Sequence, residues 1–102
     1  MSTKIYSIEE LKEIIERILK DTVVQRAILF GSYAKNCPTE NSDVDLIVDS
    51  NGELLNINFY GLLEELVEAL NKEIDLFEIS EIQEKSEIYK NIQKEGVVIY
   101  ER

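Results

Sequence analysis

Asp43 and Asp45 stand one residue apart at the head of an apolar run, VDLIV, residues 44 to 48. On an extended strand, residues two apart face the same side at about 6.6 to 6.8 Å, so both carboxylates project together while Val44 faces the core. Like charges held this way raise each other's pKa unless something positive lies between them, and Mg²⁺ prefers carboxylate and phosphate oxygens. Asp75 is a third carboxylate, at the alternating position of a second strand candidate, EIDLFEI, residues 73 to 79. Three such groups could hold two cations about 3.5 to 4 Å apart, an arrangement that supports in-line displacement at phosphorus. A D-x-D pair alone is more often a solvated strand edge or a loop cap. A calcium loop is excluded, because the sixth position counted from Asp43 or Asp45 is Val48 or Ser50 rather than the required Gly.

Gly31 and Ser32 precede Asp43 by ten intervening residues, 33 to 42. A strand that ends in Gly lets the backbone approach a ligand closely, and a following helical turn presents unsatisfied N–H groups. Phosphate suits that position, with the Ser32 hydroxyl as one more donor; the same dipeptide also reads as an ordinary turn with Ser32 as N-cap. Lys35, one turn on, is either a phosphate-reaching cation or a surface lysine. The Tyr33 ring either stacks on a base or covers the sheet, and packing is the favoured reading.

The elements that must position these residues follow from periodicity. Ser7 and Glu10 form a capping box ahead of an amphipathic helix over 8–20, with Ile8, Leu11, Ile14, Ile15, Ile18 and Leu19 on one face. Residues 23–30, VVQRAILF, are a strand, followed after Gly31 by a short helical turn and a loop through Pro38. The strand at 44–48 ends at an Asn51-Gly52 turn, which also accounts for Asp49 and Glu53. A helix over 56–71, a strand over 73–79, a helix over 80–95 closed by Gly96 in the left-handed region, and a strand over 96–101 complete the chain. The expected class is α/β (α+β): a small mixed sheet with helices packed on it, in a single domain over 1–102.

Composition narrows the function classes. Eleven basic against twenty-one acidic residues give a formal charge of -10, which argues against a surface built to grip long nucleic acid. There is no His, so a His-based zinc site and a Ser-His-Asp triad are excluded. Cys37 is the single cysteine and pairs with nothing in the chain, in keeping with a reducing compartment. The opening residues carry no apolar signal region, and no apolar run reaches the roughly 20 residues that span a bilayer. A soluble, unprocessed, cytoplasmic protein without membrane contact is expected.

GSYAKN, the ten-residue spacing, the D-V-D pair and the later I-D-L resemble the nucleotidyltransferase signature of the DNA polymerase β superfamily, in its minimal nucleotidyltransferase (MNT) branch. The resemblance runs from about residue 8 to residue 101 and implies a polymerase-β-like fold acting on a nucleoside triphosphate, ATP, with two Mg²⁺ ions. It implies that Asp43 and Asp45 bind both metal ions and that Asp75 helps hold the catalytic ion and activates the acceptor hydroxyl. Gly31 and Ser32 would hold the triphosphate tail, with Lys35 beside them. Asn36 departs from the family's usual Gly; Asn tolerates the left-handed region better than most residues, so the turn can survive. Many superfamily members carry an added helical domain for the acceptor, so here the acceptor site is expected from another chain. The MNT branch implies a HEPN-domain toxin as that partner, in a homo- or hetero-oligomer, with AMP transferred to a tyrosine hydroxyl so that this chain acts as antitoxin. Two rival readings are a non-catalytic module that masks the toxin sterically, and a transferase for a small molecule such as an aminoglycoside.

Overall fold

The computed structural model describes residues 3–54, 56–84 and 86–102. The order is α1 (Ile8–Leu19), β1 (Arg26–Phe30), α2 (Gly31–Ala34), β2 (Val44–Asp49), α3 (Asn56–Leu70), β3 (Ile74–Glu78), a 3₁₀ turn (Ile79–Glu81), α4 (Glu87–Glu95) and β4 (Val97–Glu101). Among the described residues the strands form one mixed sheet in the order β3-β2-β1-β4, with β2 and β3 parallel and β1 antiparallel to both its neighbours. A parallel pair needs a crossover connection, and α3 supplies it between β2 and β3. The mixed sheet with packed helices is the architecture expected from the sequence.

Strand alternation divides the sheet into two unlike faces. Ala27, Leu29, Val44, Leu46, Val48, Ile74, Leu76 and Ile99 are buried in the main core with Leu11, Ile15 and Leu19 of α1 and Leu62, Leu66 and Leu70 of α3. The opposite face carries a smaller cluster, Ile28, Ile47 and Ile92, which seats α4. Asp45 and Asp75 belong to that second face, beyond the reach of the main core.

Local chemistry fixes the joints. The Ser7–Glu10 capping box opens α1 as expected. At its far end, the Arg102 guanidinium donates to the carbonyls of Lys20 (2.6 Å) and Thr22 (2.8 Å), satisfying groups that a helix end leaves open. The Tyr6 hydroxyl donates to the Leu70 carbonyl at 2.7 Å and pins the N-terminal segment to the end of α3. Glu78 is only 2% exposed and accepts from the backbone N–H and hydroxyl of Ser50, and from the N–H of Ser80 at 3.1 Å. It therefore ties the ends of β2 and β3 together. Asn36 takes the left-handed conformation anticipated for it, at φ 58°, and Asn51, in the expected Asn51-Gly52 turn, is left-handed as well, at φ 55°.

Three expectations are corrected. The helix over 80–95 is two elements: the Glu78 side chain caps the 3₁₀ turn, and Ser86 caps a separate α4 by accepting from the Tyr89 N–H. Ser32 is not an N-cap, because α2 begins one residue earlier and its N-cap position is Phe30, which has no side-chain acceptor. Gly96 is extended, at φ -70° and ψ 147°, rather than left-handed. Its lack of a side chain serves space: an added Cβ would overlap the Ile92 carbonyl oxygen and Cγ2 of Ile28. Among the described residues no helix is long and apolar enough to cross a membrane.

Gly96→Ala is therefore expected to cost about 1 to 3 kcal/mol through overpacking where α4 meets β1. Urea unfolding checks it, and an unchanged midpoint would refute the steric role.

Candidate functional site

The site forms where β1 ends and β2 begins. Phe30 pairs with Asp45 across the antiparallel ladder, and Asp45 lies opposite Asp75 across the parallel one. Immediately after Phe30 the chain turns through Gly31 at φ 74°, a conformation that L side chains rarely adopt. A Cβ placed on Gly31 would strike Oδ2 of Asp45. Backbone and carboxylate thus meet so closely that residue 31 is restricted twice, by φ and by volume. Notably, the close approach expected of Gly31 toward a ligand is already made toward Asp45.

Asp45 is pushed up from its ordinary value of 3.8 to about 6. Partial burial is the first cause, the hydrogen bond and negative charge of Asp75 follow, and the charge of Asp43 adds to them. All of these causes disfavour the charged form of Asp45, so negative charge is crowded where the two strands meet. Oxygen donors that carry excess negative charge suit a hard divalent cation in type and charge. Among the described residues no three acidic, His or Cys side chains converge closely enough to hold a metal ion as they stand.

The structure therefore brings Asp45, Asp75 and Gly31 into contact, with Asp43 adding its charge from the head of the same strand. Ser32 is half-buried in the first turn of α2, where no side chain caps the N–H groups. Lys35 is exposed and its ammonium pairs with Glu95 at 3.4 Å, at the end of α4. Tyr33 is buried in the main core, as the packing reading expected.

Two features went unnoticed in the sequence. Lys72 is 2% exposed and donates to the Glu40 carbonyl at 3.1 Å, while the Val44 N–H donates to the Glu73 carbonyl at 3.0 Å. Together these clamp the loop that delivers Asp43, and Lys72 and Asp43 line the same polar depression. The other feature is an apolar cleft of about 250 Å³ beside Asp45, walled by Phe30, Ile47, Phe77, Ile88 and Ile92. Its walls come from four elements, so no local stretch of the sequence announces it.

A family model described as polymerase beta, nucleotidyltransferase, matches residues 12–102. The chain belongs to that family. Among relatives of this nucleotidyltransferase, a Methanocaldococcus jannaschii protein with an ascribed protein adenylyltransferase activity is 38% identical over 76 residues, 74% of this chain and 82% of its own. Protein adenylyltransferase MntA of Shewanella oneidensis is 34% identical over 67 residues, 64% of this chain and 48% of MntA. A chain in the crystal structure of a toxin-antitoxin complex with AMP-PNP superposes with a TM-score of 0.77 at 26% identity, covering 89% of this nucleotidyltransferase and 73% of that chain. The fold is also that of a chain in the complex of a tri-AMPylated Shewanella oneidensis HEPN toxin with its MNT antitoxin, at a TM-score of 0.72 and 23% identity, covering 93% and 73% respectively.

The raised Asp45 value sets a pH-dependent stability. Above about pH 6 the folded chain carries a charge that its surroundings disfavour, whereas below the ordinary 3.8 the group is neutral in folded and unfolded states alike. Metal-free protein thus loses this part of its stability as pH rises through that window. Asp45→Asn is expected to melt higher than the parent at pH 7.5 in EDTA, with the gap closing toward pH 4. A gap that stays constant with pH would contradict the assignment.

Proposed function

We propose that this nucleotidyltransferase is a Mg²⁺-dependent protein adenylyltransferase that transfers AMP from ATP to a tyrosine hydroxyl of a HEPN-domain toxin, and thereby acts as its antitoxin. The observation that carries the reading is the Asp45–Asp75 pair, held against the Gly31 backbone and lacking positive charge, in a chain of this family. The names of the similar proteins support the protein acceptor and the adenylyl group. A reducing cytoplasm suits the exposed free thiol of Cys37.

Asp43 and Asp45 would hold Mg²⁺, with Asp75 completing the set. The metal, when bound, supplies charge neutralisation to the triphosphate and lowers the barrier to deprotonating the acceptor. The uncapped N–H groups of the α2 turn and the Ser32 hydroxyl would grip phosphate oxygens, and the left-handed Gly31 lets the tail lie close to the carboxylates. Lys35 could join them only by leaving Glu95. Asp75 would take the proton from the attacking hydroxyl. The new bond forms between that oxygen and the α-phosphorus, the bond from the α-phosphorus to the bridging oxygen breaks, and pyrophosphate carries away the electron pair. A tyrosine ring matches the cleft: an apolar body against Phe30, Ile47 and Phe77, with its hydroxyl at Asp45.

The test uses the complex purified with its HEPN partner and α-labelled ATP. Asp43→Asn and Asp45→Asn should each cut label transfer ~10²-fold or more while the fold persists. The upward shift in melting temperature on adding Mg²⁺ should vanish in Asp45→Asn. Full labelling by both variants would end the proposal, and toxin neutralisation retained without labelling would favour steric masking.

A further inference from the structure

A second groove lies on the helical layer, across the sheet from the carboxylates. It runs between α3 and the loop joining α1 to β1 and encloses about 600 Å³. Its buried floor is made by Leu54 and Leu62, its apolar walls by the exposed Val23 and Ile57, and its lining carries Asp21 and Glu65 with no lysine or arginine. Ile57 is 85% exposed and Tyr60, on the next face of α3, is 68% exposed, so this end of the helix leaves large apolar groups in water.

Gly61 sits at the centre of the groove and of α3. Glycine in a helix interior costs roughly 1 kcal/mol relative to alanine. Nothing in the fold calls for it here: its φ is not positive, and a Cβ would meet no atom within 4 Å. What the missing side chain does provide is depth along the groove. The lining positions 57, 58, 61, 62 and 65 follow one stripe of α3 for about 12 Å, the footprint of a second helix laid alongside.

We propose that this groove is a docking site for a basic amphipathic helix of a partner protein, its apolar face on Ile57 and Leu62 and its cations against Asp21 and Glu65. A second copy of this chain is disfavoured as occupant, because isologous pairing would set the same acidic rims against each other. The groove does not touch Asp43, Asp45 or Asp75, so its occupancy is independent of the transfer chemistry.

The test titrates isotope-labelled full chain with an 18-residue leucine-lysine amphipathic helical peptide at physiological salt, with a leucine-glutamate peptide of the same pattern as comparator. The lysine peptide should shift the amide resonances of Val23, Ile57, Gly61 and Glu65 and bind about tenfold or more tighter than its acidic comparator. Gly61→Met, which fills the groove, and Ile57→Glu, on an already exposed position, should each weaken it about tenfold or more without lowering the melting temperature. Asp45→Asn should bind like the parent. Equal binding of both peptides, shifts centred on the carboxylate face, indifference to Gly61→Met, or a parent dimer dissociated by Ile57→Glu would each overturn the proposal.

Discussion

The bare backbone of Gly31 pressed against the carboxyl of Asp45 is the contact on which the site depends. It lets β1 end and α2 begin within the width of one residue, and it places the first N–H groups of α2 beside the charged end of β2. Any side chain at residue 31 would have to displace the Asp45 carboxyl from its place beside Asp75. Three separate sequence features, a glycine and two aspartates, therefore act as one geometric unit.

The remaining architecture protects that unit without sharing its chemistry. The main core, the capping of α1 by Arg102 and the Ser50–Glu78 tie all stabilise the helix-covered side and the ends of the strands. On the other side α4 covers only part of the sheet, resting on Ile28 and Ile47, and leaves the carboxylate end open beside an apolar cleft. Open backbone N–H groups and crowded acidic oxygens are tolerable there because solvent reaches them.

What the sequence disclosed and what it withheld divide along the reach of the interactions. The capping box at Ser7 and Glu10, the left-handed tolerance of Asn36, the turn at Asn51-Gly52 and the strand-period placement of Asp45 and Asp75 depend on neighbours a few residues away, and the structure keeps all of them, while Asp43 falls one residue before β2. Gly96 was misread because its partner, Ile28, is far off in the chain: the residue type signalled a turn while the packing demanded room. The break before α4 was hidden because Ser86 looks like any polar helix residue until its hydroxyl is seen to cap Tyr89. Lys72 gave no sign of its role, since its acceptor is a carbonyl 32 positions away. The cleft draws its walls from four elements and leaves no local pattern at all.

The alternation along β2 carries a final implication. Val44, Leu46 and Val48 fill the core from the same strand that presents Asp45 on the reverse side, so packing and chemistry are interleaved at a period of two residues. A slip of one residue against β1 or β3 would drive the carboxylate into the hydrocarbon and push leucine into water. Misaligned chains would therefore collapse thermodynamically rather than persist as intact but inactive protein. Burial acts as a proofreader for the strand register, and a population of folded molecules is by the same token a population with Asp45 on the open face.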